Sequence, residues 1–324
     1  MANGDGFSAV ERRVAGQTAL GELSVAVGDL IREPRLAERS ESPLAQGVRR
    51  LRRSKTAVLG AAIVLLLLLV AGFADVLAPQ SPTDSDQTST FQQPSRAHPL
   101  GTDQLGRDML SRVIHGTRVA LVVGVASVLL ALFVGVPLGL IAGYYGGQLV
   151  DTAVMRVMDL ILSFPVYLLA IILMVIFTPT AGVLGTVKVV GAIAIVRIPI
   201  YARIVRGSVL SIKEKEYIEA CRALGQRDPR IMFGHVLPNC LAPIIVTTTL
   251  GIATSIIVEA SLSFLGLGTQ PPTPSWGWDL KANVAFIQAT PWLSLFPGLA
   301  IFFTVLGFNL FGDGLRDALD PRLK

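Results

Sequence analysis

The stretch EYIEACRALGQRDPRIMFGHVLPN, residues 216–239, is a polar and charged island between two long apolar segments. Its first half places apolar or small residues at the i, i+3, i+4 and i+7 positions of one helix face: Tyr217, Ala220, Cys221 and Leu224. Gly225 follows, at a point where a glycine in the left-handed region commonly ends a helix. The pattern therefore predicts a short helix that stops at Gly225.

The second half of the island predicts another short helix. Asp228 followed by Pro229 is typical of an N-cap and a first helical position, and Pro238 is expected to end this helix. Together the two helices would form a bracket, residues 216–238, whose small apolar face cannot be buried by the bracket alone. Two interpretations stay open from this pattern: the face rests on the membrane surface, or a partner protein covers it.

The rest of the chain has the composition of a membrane protein. Of its 324 residues, 52% are hydrophobic and 16% are charged, which is more apolar than a typical soluble domain. Six segments are long and apolar enough to span a membrane: residues 56–77, 118–142, 157–177, 183–205, 241–265 and 293–312. The first is too long, and too far into the chain, for a secretory signal, so we expect an uncleaved anchor. The predicted fold class is an all-α polytopic membrane protein with six transmembrane helices.

Basic residues predict the orientation of these spans. With the N-terminus inside, sixteen Lys and Arg residues flank the spans on the cytoplasmic side and six on the other. We therefore expect a multi-pass protein of the cell membrane with both termini cytoplasmic. Its parts would be a polar cytoplasmic tail (1–48), a lead-in helix with the first span and an extracytoplasmic loop (49–117), a core with a cytoplasmic loop at 212–238 (118–312), and a cytoplasmic C-terminal tail (313–324). The same rule explains the net charge of +5 without nucleic acid.

The island also carries a recognisable motif. It resembles the EAA motif of ABC importer permeases, which is Glu-Ala-Ala, three residues, Gly, nine residues, Ile, any residue, and Leu-Pro. Those positions are occupied in unbroken register by Glu219, Ala220, Cys221, Gly225, His235, Leu237 and Pro238. Cys221 and His235 depart from the motif, although a thiol is small enough to keep close packing. The HVLPN run at 235–239 resembles the form found in peptide-type permeases.

Other segments resemble the C subunit of dipeptide/oligopeptide permeases in the expected order: residues 98–124, 155–165, 258–268 and 312–324. The resemblance covers residues 43–324 and implies a type I ABC importer permease (MetI-like) fold. It implies a bracket that acts as a coupling helix and docks on an ATPase subunit. The docking residues would be Tyr217, Glu219, Ala220, Cys221, Leu224, Gly225, His235, Leu237 and Pro238.

The same resemblance implies a set of partners. These are a homologous B-type permease subunit, two cytoplasmic ABC ATPase subunits that bind ATP and Mg, an extracytoplasmic substrate-binding protein, membrane lipid and a peptide substrate. The chain has no GxxxxGK[ST] loop, and its three histidines share no metal-ligand spacing. We therefore expect a transport subunit that is not itself an enzyme and that holds no cofactor, metal or catalytic residue.

Three further groups are candidates from the sequence. Glu259 lies inside the fifth span, where a carboxylate is costly, and with Ser255 and Ser263 it is a candidate for the translocation pathway, where it could meet the ammonium group of a peptide. The equal alternative is a structural hydrogen bond to one of these serines. Arg156 and Asp159, three residues apart, predict an interfacial ion pair. Asp103 is the predicted cap of a lead-in helix before the second span.

The predicted function is a transmembrane permease subunit of an ATP-driven ABC importer for di- or oligopeptides. It would form half of the translocation pathway and couple to the ATPase subunits through the bracket. Two alternatives stay open. One is a permease for nickel or another small solute. The other, from a different class, is a proton-coupled secondary transporter with Glu259 and Asp159 as relay groups.

Overall fold

The computed structural model describes residues 51, 54–147, 149–178 and 180–319. The regular elements of this part of the chain are helices: α1 (Lys55–Gly72), α2 (Ala74–Leu77), α3 (Met109–Tyr144), α4 (Leu149–Leu162), α5 (Val166–Phe177), α6 (Gly182–Ile212), α7 (Glu216–Ala223), α8 (Asp228–Ile231), α9 (Leu241–Phe264), α10 (Trp276–Asn283) and α11 (Trp292–Leu319). A π turn (Met232–Val236) and a 3-10 turn (Leu237–Cys240) join α8 to α9. The predicted N-terminal tail, 1–48, and the last five residues lie outside the described residues.

Five of the predicted spans correspond to helices long and apolar enough to cross a membrane. These are α1, α3, α6, the continuous segment Asp228–Phe264 that contains α9, and α11. α3 has 36 residues and is about 54 Å long at 1.5 Å per residue, which exceeds the roughly 30 Å hydrocarbon core. Part of α3 therefore projects beyond the membrane.

The third predicted span, 157–177, is not one straight helix. α4 ends at Leu162 and α5 begins at Val166, and the two axes differ by 90°. Pro165 stands at the break with an extended backbone (φ −55°, ψ 135°), because proline has no N–H with which to continue the hydrogen bonds of α4 and disfavours helical geometry in the residue before it. The bent pair is the sixth candidate for crossing the membrane.

The central contact of the fold joins α3 to α6, and glycines permit it. Gly135, Gly139 and Gly143 recur every four residues along α3 on the side that faces α6. A Cβ at Gly139 would lie 2.4 Å from the carbonyl oxygen of Ala202, and one at Gly143 would lie 2.9 Å from that of Arg206. Small residues at this spacing let helix backbones approach closely in membranes.

The start of α3 corrects the prediction that Asp103 is the cap. Asp108 is the N-cap, and its carboxylate accepts hydrogen bonds from the backbone N–H of Ser111 (2.8 Å) and from the Ser111 hydroxyl (2.7 Å). Asp103 instead closes a turn, since it accepts from the backbone N–H of Leu105 (2.8 Å) and of Arg107 (3.0 Å). An aspartate five residues later, directly before the apolar run, supplies a better cap.

Candidate functional site

The bracket, residues 216–238, contains the predicted joint. α7 ends at Ala223, and Gly225 follows with φ +74°. The Gly225 N–H donates to the carbonyl of Arg222 (2.9 Å), and the N–H of Gln226 donates to the carbonyl of Cys221 (3.1 Å). This pair of bonds is the Schellman motif, which satisfies the last carbonyls of a helix and favours glycine in the left-handed position. The predicted end of the first helix is confirmed.

The inner face of α7 is buried, and this corrects part of the expectation for the bracket. Ile218 is fully buried, Cys221 one turn later is half-buried, and they belong to one apolar cluster with Ile231 and Val236 of the second arm. The cluster extends to the ends of α3 and α6 through Leu140, Val209 and Ile212. One apolar face of the bracket is thus covered by other helices of the chain. A loop that merely rested on lipid would not need these contacts.

The outer face of the bracket is uncovered. The side chains of Tyr217, Leu224 and Phe233 are 40%, 81% and 59% exposed. Glu219 and Ala220 of the motif are also exposed. Gly225 has open space around the position of a Cβ. Of the residues predicted to share a face, Tyr217, Ala220 and Leu224 therefore point away from the helices of this chain.

The second arm does not end at Pro238 as predicted. In the π turn the Leu237 N–H donates to the carbonyl of Met232, five residues back, and the 3-10 turn that follows contains Pro238 and leads directly into α9. Proline is tolerated here because the regular hydrogen-bond pattern of the helix is already interrupted, so the missing N–H of Pro238 removes no helical hydrogen bond. Asp228 is also not the N-cap, which is Arg227. The second arm is therefore an extension of the fifth span.

Three side-chain contacts join the arms of the bracket to α3 and to each other, and sequence periodicity predicted none of them. Tyr144, at the end of α3, donates its hydroxyl proton to the carboxylate of Asp228 (2.6 Å), and the Arg222 guanidinium lies over the Tyr144 ring at 5.4 Å from its centre. His235 is half-buried, and its Nε2 lies 3.1 Å from Oε1 of Gln226, which links the two arms. Leu237 is half-buried and Pro238 exposed.

The structure places Glu259 in a closed hydroxyl cluster. The side chain is 1% exposed, and its Oε1 accepts hydrogen bonds from the hydroxyls of Ser263 (2.7 Å), Ser275 (3.0 Å) and Thr269 (3.2 Å). The structural alternative for Glu259 is thus supported through Ser263. Ser255 is buried and makes no hydrogen bond to Glu259. Thr269 and Ser275 lie in the loop after α9, so helical spacing could not predict their hydrogen bonds to Glu259.

The ion pair predicted between Arg156 and Asp159 is wrong. Asp159 of α4 pairs with Arg203 of α6 at 2.5 Å, with both side chains half exposed. Asp151 of α4 pairs in turn with Arg206 of α6 at 2.6 Å. Partners on a neighbouring helix replace the partner on the same helix because α4 packs along α6. These two bridges hold the first half of the bent pair against the fourth span.

Comparison with known proteins agrees with this architecture. The family model described as "Binding-protein-dependent transport system inner membrane component" matches residues 135–324, and one described as "N-terminal TM domain of oligopeptide transport permease C" matches residues 42–94. The chain is 46% identical over 283 residues to a dipeptide transport system permease protein of Alkalihalophilus pseudofirmus, covering 87% of this chain and 91% of that one. It is 45% identical over 284 residues to a glutathione transport system permease protein of Pectobacterium atrosepticum, covering 87% and 92%.

A third relative is a di/tripeptide transport system permease protein of Pseudomonas aeruginosa, 42% identical over 289 residues, with 87% of this chain and 93% of that one covered. Among solved structures, a chain of the MetNI methionine ABC transporter, described as inward facing, matches with a TM-score of 0.55 and 18% identity. That match covers 65% of this chain and 98% of the other, and at this identity it supports the fold alone.

Proposed function

We propose that this chain, which belongs to the family of binding-protein-dependent transport system inner membrane components, is the permease subunit of an importer for short peptides. As a family member it is a multi-pass membrane subunit of an ABC transport complex. Such a subunit works with another permease, ATPase subunits and a binding protein. The peptide substrate is supported by relatives named for dipeptide, di/tripeptide and glutathione transport, since glutathione is itself a short peptide.

The finer assembly is part of the proposal. This chain pairs with a homologous B-type permease, so that each forms half of the pathway, and two cytoplasmic ATPases bind ATP and Mg below them. An extracytoplasmic binding protein delivers the peptide. Both termini then lie in the cytoplasm, with the bracket on the same side. ATP binding closes the ATPases and opens the pathway outward, and hydrolysis resets it, which is alternating access.

The observation that carries the proposal is the contrast between the two faces of the bracket. Its inner face is packed on α3 and α6, whereas the outer face presents Tyr217 and Leu224 to solvent. A rigid, anchored element with an uncovered apolar face suits a protein partner better than a lipid surface, because the arms are fixed to the spans that must move. The continuity of the second arm with α9 provides the mechanical link.

The docking proposal is tested by Gly225→Asp. The Cβ of the new residue would meet no atom of the described residues within 4 Å, so its cost within this part of the chain is that of the left-handed backbone, about 1 kcal/mol. Gly147 is a matched control, because it also has a positive φ (+83°) and open space, and it lies outside the bracket. We expect Gly225→Asp to reach the membrane but to lose co-purification with the ATPase subunits, while Gly147→Asp retains them.

Equal recovery of the ATPase subunits by both variants would refute the docking role of the bracket. The substrate is tested separately in a strain that lacks the chain, by uptake of a labelled dipeptide and of nickel. The proposal expects dipeptide uptake that requires the ATPases and persists with a protonophore. Dependence for nickel alone would refute the peptide assignment, and uptake that a protonophore abolishes without any need for the ATPases would identify a secondary transporter.

A further inference from the structure

A cavity of about 300 Å³ opens between α5, α6 and α9. Its walls are mostly aliphatic, and three polar side chains border it: Tyr167, Arg197 and Thr254. Arg197 stands sixteenth in the 31-residue helix α6, so it lies about 22 Å along the axis from either end. The charge is therefore near the middle of the span, at the depth where an ionised group is most costly.

Arg197 has no acidic partner among the described residues. Its side chain is nine-tenths buried, and its guanidinium donates a hydrogen bond to the Thr254 hydroxyl. The carboxylates on the neighbouring membrane helices are already engaged. Asp151 and Asp159 pair with Arg206 and Arg203, and Glu259 accepts from three hydroxyls. A cation within a membrane normally faces a water-filled cavity or has a partner, and an anionic partner for Arg197 would have to come from outside this part of the chain.

The surroundings of Arg197 form a stripe along α6 that leads toward the bracket. Ile193, Arg197 and Ile200 border the first cavity, and Arg203 and Gly207 border a second of about 390 Å³. These positions follow the 3–4 residue spacing of one helix face. The exposed membrane face of α1 is by contrast aliphatic, with Leu65, Leu66 and Leu69 about half exposed. The stripe thus carries Arg197 and the half-exposed Arg203–Asp159 pair, and it is more polar than the face of α1.

The guanidinium lies beside a glycine of α9. A Cβ at Gly251 would lie 3.4 Å from Nη1 of Arg197 and 2.6 Å from the hydroxyl of Tyr201. Glycine at this position leaves room for the Tyr201 hydroxyl, and the guanidinium of Arg197 lies beside it. The guanidinium is therefore placed against α9 by the hydroxyl of Thr254, one turn away from Gly251.

We propose that Arg197 is a substrate-binding residue of the translocation pathway and that it takes the C-terminal carboxylate of the transported peptide. This inference rests on the proposed function. A guanidinium presents paired N–H donors that match a carboxylate, and such charge-assisted bonds strengthen in a site from which water is excluded. The aliphatic walls accommodate side chains of varied shape because they make no directed hydrogen bonds. Every unmodified peptide carries the carboxylate, so the site recognises the class and not the sequence.

The test uses the complete importer reconstituted in proteoliposomes with ATP inside. Uptake is measured for alanyl-alanine and for its C-terminal amide, each at a concentration that saturates the binding protein as determined by calorimetry. The variants are Arg197→Gln and Arg197→Lys, and Arg118→Gln is the matched control. Arg118 lies on α3 in an exposed ion pair with Asp75, away from the cavity. The binding protein is the same in every assay. Its preference for one peptide over the other therefore cancels when the uptake of each peptide by a variant is divided by the uptake by the wild type.

We expect Arg197→Gln to lower uptake of alanyl-alanine at least tenfold and uptake of the amide less than twofold. Arg197→Lys should restore part of the loss, and Arg118→Gln should behave as wild type. An equal fall for both peptides, or no fall, overturns the proposal. Loss of the assembled complex in Arg197→Gln also overturns it, because the counter-charge would then belong to the partner permease. A wild-type complex without ATP-driven peptide uptake would instead refute the proposed function itself.

Discussion

The buried ion pair between Arg112 and Asp279 allows a quantitative test of how the start of α3 is held against α10. Arg112 lies in the first turn of α3 and Asp279 in α10, and their side chains are 0% and 1% exposed. Nε of Arg112 donates to Oδ1 of Asp279 (2.8 Å), and Nη1 donates to the carbonyl of Pro82 (3.0 Å). The pair thus connects three segments that are far apart in sequence.

Asp279→Asn should destabilise the chain by about 3–5 kcal/mol, because a buried arginine would lose the carboxylate that it pairs with. For a chain of this size, each kcal/mol lowers the melting temperature by roughly 2 °C, so we expect a fall of about 6–10 °C. The measurement is the loss of the monodisperse gel-filtration peak of the purified complex after heating. The matched control is Asp75→Asn, which removes an aspartate paired with Arg118 of α3 in a contact where Asp75 is 71% exposed.

The double variant Arg112→Met with Asp279→Asn separates an ion-pair effect from general damage. Removing both charges eliminates the unpaired buried arginine, so the double variant should be more stable than Asp279→Asn alone. We expect no resolvable change for Asp75→Asn, since water replaces a lost exposed contact. A melting temperature of Asp279→Asn equal to that of Asp75→Asn, or a double variant that is as unstable as the sum of its single changes, would refute the reasoning.

Two further predictions concern the bracket and the hydroxyl cluster. Tyr144→Phe removes the hydrogen bond to Asp228, worth about 1 kcal/mol, and keeps the ring beneath Arg222; we expect intact ATPase docking but fewer peptides carried per ATP, and an unchanged ratio of uptake to hydrolysis would contradict this. Glu259→Leu leaves three hydroxyls without their acceptor and should lower the yield of assembled complex, whereas Glu259→Gln keeps an oxygen acceptor and should assemble. Equal assembly of the two Glu259 variants would argue against the structural role.

Length and hydrophobicity predicted the membrane helices well, because a span must satisfy its backbone hydrogen bonds internally and must be apolar along its length. The glycine joint at Gly225 was also predictable, since a local motif with a known backbone geometry determines it. The break at Pro165 was missed. Proline is tolerated inside other long helices of this chain, at Pro137 of α3 and Pro199 of α6, so its presence alone does not predict a 90° bend.

Contacts between segments distant in sequence account for the remaining errors. Asp159 was assigned a partner three residues away, yet Arg203 of α6 provides a closer one once α4 packs on that helix. For Glu259 the sequence left two serines and a pathway role open, and the structure gives the hydrogen bond to Ser263; Thr269 and Ser275 reach it only because the loop folds back. Sequence periodicity describes one helix at a time and contains no information on which helices become neighbours.

The continuous segment from Asp228 to Phe264 connects the bracket directly to the opposite end of the fold. Glu259 lies 31 residues after Asp228, which is about 46 Å along a helix. Hydrogen bonds from Ser263, Thr269 and Ser275 fix this far end to the loop before α10, and Asp279 of α10 pairs with Arg112 of α3. We therefore expect a displacement of the bracket to reach the loop before α10 through one helix and these polar contacts. On the proposed docking of the bracket, the expected role of Glu259 is mechanical: its carboxylate holds the loop before α10 to the helix that continues the bracket, while Arg197 of α6 is the proposed contact of the solute.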